Sequence, residues 1–466
     1  MTEAQFQSQP STPLTYSPPA FAGIIGLARA DITPPLGIYA RNWGAARHDA
    51  AEGIHRPLTA TVLTLQSNPD ELPLILAALD LGWWRGREDE WILRSAVIRE
   101  FRLDTARVMI CLSHTHAGPS ICRADSDKPG GELVPGYLQQ VQDALLRTTH
   151  QALQSSQAAT ITWHYGKSTL ATNRDLHDPH ANRVLCGWNR SEQADDTLLV
   201  GRVTDDDNQV LATLVNYACH PTTLAWDNSL ISPDYIGTMR ETVETQTNAP
   251  CLFLQGASGE LAPREQYVGD VEIADAHGQQ LGFAVLGVLA GMLPPQTAFE
   301  YSHVVESGAP LAVWQRGAAQ PNRTLLAQCI DVQLPLKDWP TAGEIEAELR
   351  TMSDRALAER LRRKLLVRRA VGDGTSAAIP AYIWRVGGAF FVGHPNEAYS
   401  LLQTELRRAF PERAVAVMNV VNGWSGYLPP QELYDEDLYA VWQTPFERGS
   451  LEHLIESCHR VLENMA

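Results

Sequence analysis

Ser113-His114-Thr115-His116-Ala117-Gly118-Pro119 follows the apolar run Val108-Met109-Ile110-Cys111-Leu112. The run reads as a short buried strand, and Gly118 and Pro119 then turn the chain. In an extended backbone, side chains two apart share a face, so His114 and His116 are expected to project together from the strand's end. Neutral imidazole nitrogen is a good ligand for a divalent metal. Read alone, the pair also fits one packed and one surface histidine, and a metal site needs ligands from elsewhere in the chain.

The remaining strands show where those ligands would come from. Thr59 to Leu65 and Leu74 to Leu79 read as a hairpin across Asn68-Pro69-Asp70. Leu198 to Thr204 and Val210 to Tyr217 read as a second, the latter running into Ala218-Cys219-His220-Pro221. Ala249 to Gln255 runs into Gly256-Ala257-Ser258-Gly259-Glu260-Leu261-Ala262-Pro263. Ala381 to Val386 pairs with Ala389 to Val392 across Gly387-Gly388, and Gly393-His394-Pro395-Asn396-Glu397 then opens a helix reaching Ala409. Ala414 to Val421 ends at Asn422. Strands thus end in polar segments at Asp80, His114, His220, Gly256, His394 and Asn422. In α/β sheets ligands sit beyond the carboxyl ends of strands, so these segments are expected to share a rim.

Helical periodicity covers Glu88 to Phe101, Gly136 to Ser155, Tyr235 to Gln246 and Ala274 to Gly291. Leu281 to Leu293 is the most apolar stretch, too short for a membrane span, and reads as a buried helix. Glu344 to Arg369 reads as one long helix whose charges form a solvated face. The fold class is α/β, with mixed sheets, flanking helices and an active site at the C-terminal ends of strands. Residues 1–22, rich in Ser, Thr, Pro and Gln at their start, are expected to be a flexible arm. Residues 23–466 form one catalytic domain, in which 337–375 is a candidate peripheral helical insertion.

The 466 residues are 44% hydrophobic and 20% charged, an ordinary globular composition, with net charge −17. That acidity argues against nucleic acid or an anionic membrane as the main partner and fits a small-molecule substrate. Seven scattered cysteines without a Cys-x-x-Cys argue against a thiolate zinc site and for a reducing, cytoplasmic setting. The start of the chain has no secretory signature. No feature specifies an oligomeric state.

His220, also beyond a strand, is a candidate third ligand. Glu397 has a simpler reading as an acid in a helix's first turn, and Tyr427 as packing. The chain then resembles the catalytic domain of the neutral ceramidases, the zinc-dependent amidases that release fatty acid from ceramide. The matching segments run in order: Ala30-Asp31-Ile32-Thr33, Ala78 to Gly82, Ser113 to Pro119, Asn173-Arg174, Asn216 to Pro221, Phe253 to Pro263, Pro395-Asn396-Glu397, and Tyr427 with Tyr434 and Tyr439. The resemblance implies one Zn²⁺ per chain held by His114, His220, Glu397 and Tyr427. It implies His116 and Tyr439 at the scissile amide and Arg174 at the substrate mouth. Two imidazoles, a carboxylate and a phenolate-like oxygen suit zinc.

The chain departs from the family at three points. Ala262 stands where the family has serine. The family's additional C-terminal immunoglobulin-like domain is expected to be absent, and so is an export signal. These features lead to a zinc-dependent amidohydrolase-type enzyme that cleaves an amide or related acyl bond in a soluble metabolite. Metal-activated water would stand in for the serine, with Glu260 or His116 as general base. The alternatives are a zinc Lewis-acid enzyme (cyclase, transferase or lyase) and a non-catalytic metal-binding protein. Trp83, Trp84, Trp188, Trp226, Trp424 and Trp442 lie near the expected rim and are candidates for an aromatic pocket.

Overall fold

The computed structural model describes residues 14–466. Residues 1–13 of the expected arm lie outside them. Within the rest of that arm Thr15–Tyr16 pairs with Glu300 and Phe299, and a long strand begins at Ala20.

The large sheet has eight strands: β1 (Ala20–Asp31), β2 (Thr59–Gln66), β3 (Leu74–Leu79), β4 (Val108–Leu112), β5 (Gln157–Lys167), β6 (Thr197–Thr204), β7 (Val210–Tyr217) and β8 (Cys251–Gln255). Their order is β8-β7-β6-β5-β1-β2-β3-β4, with β7/β8 and β3/β4 parallel and the other neighbours antiparallel. A smaller sheet is ordered β9 (Leu325–Pro335), β10 (Ser376–Val386), β11 (Ala389–Gly393), β12 (Ala414–Met418). Both expected hairpins of the large sheet are present.

Helices are α1 (Arg87–Glu100), α2 (Val134–Gln154), α3 (Tyr235–Thr247), α4 (Val271–Gly291), α5 (Ala342–Thr351), α6 (Arg355–Val371), α7 (Leu401–Ala409), α8 (Tyr439–Gln443) and α9 (Ser450–Met465). Three cores show how the layers stack. Phe21, Leu63, Leu76, Met109 and Leu214 of the large sheet pack on Trp384, Phe391, Ala416 and Met418 of the small one. The opposite face of the large sheet carries α1 and α2 at one end and α3 and α4 at the other. The outer face of the small sheet carries α7 and α9. The result is helices, sheet, sheet, helices. Strands covered on both faces have no polar side to show, which is why β3, β4, β8 and β12 are buried at every residue.

The strand directions matter for the site. Counted across the sheet, β4 and β8 run in opposite senses. Neighbouring strands twist by about 20–25°, and seven steps accumulate to roughly 140–175°. The sheet also curls, so that β8 comes to lie against β3 and β4, and the carboxyl ends of β4 and β7 open on one rim. The segment after β12 stitches them together. Asn419 N–H donates to the Gln255 carbonyl, Val421 bridges Cys111, and the Asn422 amide bonds the backbone of Ile110 and Val108.

Four expectations change here. The stretch from Glu344 to Arg369 is two helices, because Asp354 caps α6 with a bond to Leu357 N–H and interrupts the turn after α5. It is also not peripheral: Val367 is fully buried in the core shared with α1 and α2. Glu397 lies in a two-residue strand that pairs in parallel with Tyr427–Leu428, and the helix begins only at Leu401. The apolar helix α4 buries one face, with Leu281, Gly282, Val285 and Val288, and leaves Phe283 65% exposed. The sequence reading also passed over strand β9 and the exposed hairpin Thr297–Glu306/Pro310–Ala318. All seven cysteines are free, and no helix among the described residues is long and apolar enough to cross a membrane.

Candidate metal centre

β4 ends at Leu112, two residues before His114, and the backbone there is not extended. His114 has φ 66°, in the left-handed region that side chains other than glycine seldom adopt. Ser113 N–H and His114 N–H are tied to the carbonyls of Leu79 and Leu81, which holds the kink. His114 and His116 still meet, with ring centroids 5.0 Å apart, but through a kinked loop and not through strand alternation.

The His114 ring places Nδ1 3.2 Å from the Gly82 carbonyl, and His220 places Nδ1 2.6 Å from the Ser258 carbonyl. A carbonyl only accepts, so each Nδ1 carries the proton and each Nε2 is left as a bare lone pair. These two Nε2 atoms face each other at 3.3 Å. Glu397 Oε2 lies 3.3 Å from His114 Nε2 and 2.9 Å from His220 Nε2. Burial lowers the His220 pKa to about 4, so its ring is neutral near pH 7.

Three acceptors thus point at one buried spot, where the Tyr427 hydroxyl is the only neighbouring donor among the described residues, an arrangement that costs free energy unless a cation fills it. Zinc–nitrogen bonds of about 2.0–2.1 Å in a tetrahedron put ligand atoms about 3.3–3.4 Å apart. The observed spacings of 2.9–3.3 Å fit that shape. Trp424 Nε1 donates to Glu397 Oε1 at 2.7 Å, leaving Oε2 for the metal.

The other expected site residues fall into two groups. His116 lies at the cluster: one nitrogen each of His114, His116 and His220 lie within 4.8 Å of one another, so a buried three-histidine cluster able to bind a metal is present. Both His116 nitrogens are shielded and lack a hydrogen-bond partner. Its ring lies between Trp43 (5.1 Å) and Trp83 (4.9 Å). Burial holds its pKa well below the ordinary histidine range. Tyr427 Oη is 3.5 Å from His220 Nε2 and accepts from Arg174 Nη2 at 3.1 Å. Arg174 also grips the Gly259 carbonyl at 2.7 and 3.1 Å. Only glycine fits there, since a Cβ would sit 2.4 Å from the Tyr399 ring. Tyr439 stands 5.4 Å from Tyr427, ring to ring.

Glu260 is the exception. Its carboxylate is turned to the N–H and hydroxyl of Ser400, and burial pushes its pKa up to about 7. Asp80 pairs bidentately with Arg240 at 2.7 Å, and Asn422 is spent on β4, so neither contributes to the centre. Ala262 is buried opposite Thr172. Of the tryptophans, Trp83 and Trp424 border the cluster, Trp226 reaches it through Trp43, and Trp442 packs on Tyr439. Trp84 is in the core, and Trp188 is exposed beside Arg190 and Arg264.

Sequence reasoning missed Arg363 and Trp43. Arg363, on α6, donates to Tyr439 Oη (2.9 Å), the Asn42 carbonyl (2.8 Å) and Glu359. Glu359 and Arg363 are four apart on a charged helix, the pattern of a solvated pair, and that spacing concealed a residue of the site. Trp43 sits in a loop with no periodicity to mark it.

The fold and site define a layered α/β protein with a buried histidine–carboxylate cluster suited to a divalent metal. No protein-family model matches the chain, and neither does any curated protein sequence. Among solved structures, ceramidases share its fold. The neutral ceramidase from Pseudomonas aeruginosa aligns with TM-score 0.67 and 16% identity, over 97% of this chain and 75% of that one. A ceramidase complexed with C2 aligns with TM-score 0.66 and 16% identity, over 96% and 76%. The fold is ceramidase-like.

Proposed function

We propose that the protein is a zinc hydrolase that cleaves an amide or related acyl bond in a small-molecule substrate. The observation that carries this reading is the meeting of His114 Nε2, His220 Nε2 and Glu397 Oε2 at one buried spot, with both Nδ1 atoms turned to carbonyls. Tyr427 is the fourth group within reach. The shared fold with two proteins named as ceramidases supports acyl-bond hydrolysis as the chemistry.

When bound, zinc supplies a Lewis acid and lowers the pKa of water to about 7. The chain's own residues do the rest. His116, with both nitrogens unpartnered at the edge of the cluster, is the better placed candidate base, and burial makes its imidazole a weak one. Glu260 is the weaker candidate for that role, because Ser400 holds its carboxylate. Tyr439 Oη accepts from Arg363, so its own O–H is free to donate to an oxygen that gains charge. Arg174 fixes Tyr427 from behind. Trp43 and Trp83 flank His116 and keep water from it.

A panel of N-acyl amino acids and N-acyl amines, incubated with the zinc-loaded protein in H₂¹⁸O, tests the reading. One ¹⁸O in the released acid is expected. Products formed without ¹⁸O would replace hydrolysis by a Lewis-acid cyclase, transferase or lyase, and no turnover of any member would favour a binding role.

A further inference from the structure

Two cavities lie side by side along the N-terminal half of α1, with Trp424 as a common wall. One, of about 530 Å³, runs between the start of α1, residues 122–124 and the end of α6. The other, of about 310 Å³, runs between α1, β10 and residues 422–425. Arg87, Glu88, Ala370 and Gly423 also line both.

Arginine is concentrated in their walls. In a protein of net charge −17, the walls carry Arg85, Arg87, Arg94, Arg123 and Arg369 against Glu88, Asp89 and Glu90. Arg85, Arg123 and Arg369 are paired with Asp125, Asp89 and Glu346. The other two have donors to spare. Arg87 is exposed and bonds only the Ala370 carbonyl. Arg94 is 7% exposed and pairs with Glu90 through Nε and Nη2, while its Nη1 has no partner. Its guanidinium lies 4.9 Å from the Trp91 ring and 5.7 Å from the Tyr382 ring, and both rings wall the smaller cavity. Seven residues apart, Arg87 and Arg94 share one face of α1. The helix also starts there without a side-chain cap at Gly86, so its first N–H groups add to the donor set.

A buried guanidinium N–H without an acceptor is costly, and an anionic oxygen removes that cost. Trp91, Tyr382 and Trp424 offer flat apolar walls beside it. We propose that this cleft binds a small aromatic carboxylate, its oxygens on Arg87, Arg94 and the start of α1 and its ring on the tryptophan wall. The site is separate from the metal centre and shares with it only Trp424, whose indole N–H holds Glu397.

The test is a titration of the full-length protein with benzoate, neutral benzamide and inorganic phosphate, followed by tryptophan fluorescence and calorimetry. Saturable binding of benzoate is expected, with phosphate weaker and benzamide weaker by about tenfold or more. Arg87→Met, an exposed change that leaves the core intact, is expected to weaken benzoate by about tenfold. His220→Ala and chelator-treated protein are expected to bind benzoate as the wild type does. Absent saturation, equal binding of benzamide, indifference to Arg87→Met, or loss of binding on removal of the metal would each overturn the proposal. The last outcome would place benzoate on the metal and leave the hydrolase reading standing.

Discussion

His114 Nε2 and His220 Nε2 face each other at 3.3 Å across a sequence separation of 106 residues, each with its Nδ1 turned to a backbone carbonyl. Gly82 and Ser258, which supply those carbonyls, thereby fix the tautomer of both rings.

Near-stoichiometric zinc is expected in protein purified without added metal, and His220→Ala should lose most of it. Trp424→Phe removes the N–H that holds Glu397 Oε1, so it should keep the fold and lower zinc affinity by about 10–100-fold. Elemental analysis and competition with a chelator measure both. Unchanged metal in His220→Ala would mean that the ligand set is wrong.

Tyr439→Phe should lower kcat by about 10²-fold with a smaller change in KM, because the lost bond forms chiefly to an oxygen that gains charge. Arg363→Met should follow it in the same direction, since Arg363 orients the phenol, and Arg363→Lys should recover part of the loss. Steady-state kinetics on whichever N-acyl compound turns over reads both numbers. Wild-type kcat in Tyr439→Phe would remove the phenol from the mechanism.

Glu260 should leave a mark on stability. The fold raises its pKa from 4.5 to about 7 by burial, so between those values the folded protein holds a proton that the unfolded chain has released. Stability from this group is therefore lost as pH rises from about 4.5 to about 7, by at most about 3 kcal/mol. Glu260→Gln removes the slope. Urea midpoints at pH 5 and pH 8 should show the variant gaining on the wild type at the higher pH, and an equal difference at both would contradict the assignment.

No acyl-enzyme should form. The position that would carry a serine hydroxyl is Ala262, and burial pushes the thiol of Cys251 up to about 12 and that of Cys219 well above its usual range. Intact mass after rapid quench should equal that of the resting protein, and a substrate-sized adduct on any side chain would overturn the mechanism.

The sequence itself was enough for much of the fold. Hairpins β2/β3 and β6/β7 and helices α1 to α4 carry their own periodicity and turns. Strand β9 and the hairpin Thr297–Glu306/Pro310–Ala318 escape the sequence reading, because the hairpin is mostly exposed and β9 mixes half-buried with exposed residues, so neither carries a clean apolar run. Polar segments beyond strand ends marked His114, His220 and Glu397, yet the same rule marked Asp80 and Asn422, which serve packing.

What the sequence determined alone was a supply of metal-binding side chains at strand ends and a methyl group at position 262. Which of those side chains meet was decided by the tertiary structure. β4 and β7 lie far apart in the sheet order and run in opposite senses, and the twist and curl of the sheet, which set β8 against β3 and β4, bring their carboxyl ends to one rim. Arg363 shows the same limit from the other direction. A helix pattern records that a charge lies four residues from its partner, but not what packs over it, and here Asn42, Trp83 and Tyr439 close over it. Glu260 was read as a possible base from its place in the chain, and the Ser400 N–H and hydroxyl, 140 residues away, took its carboxylate.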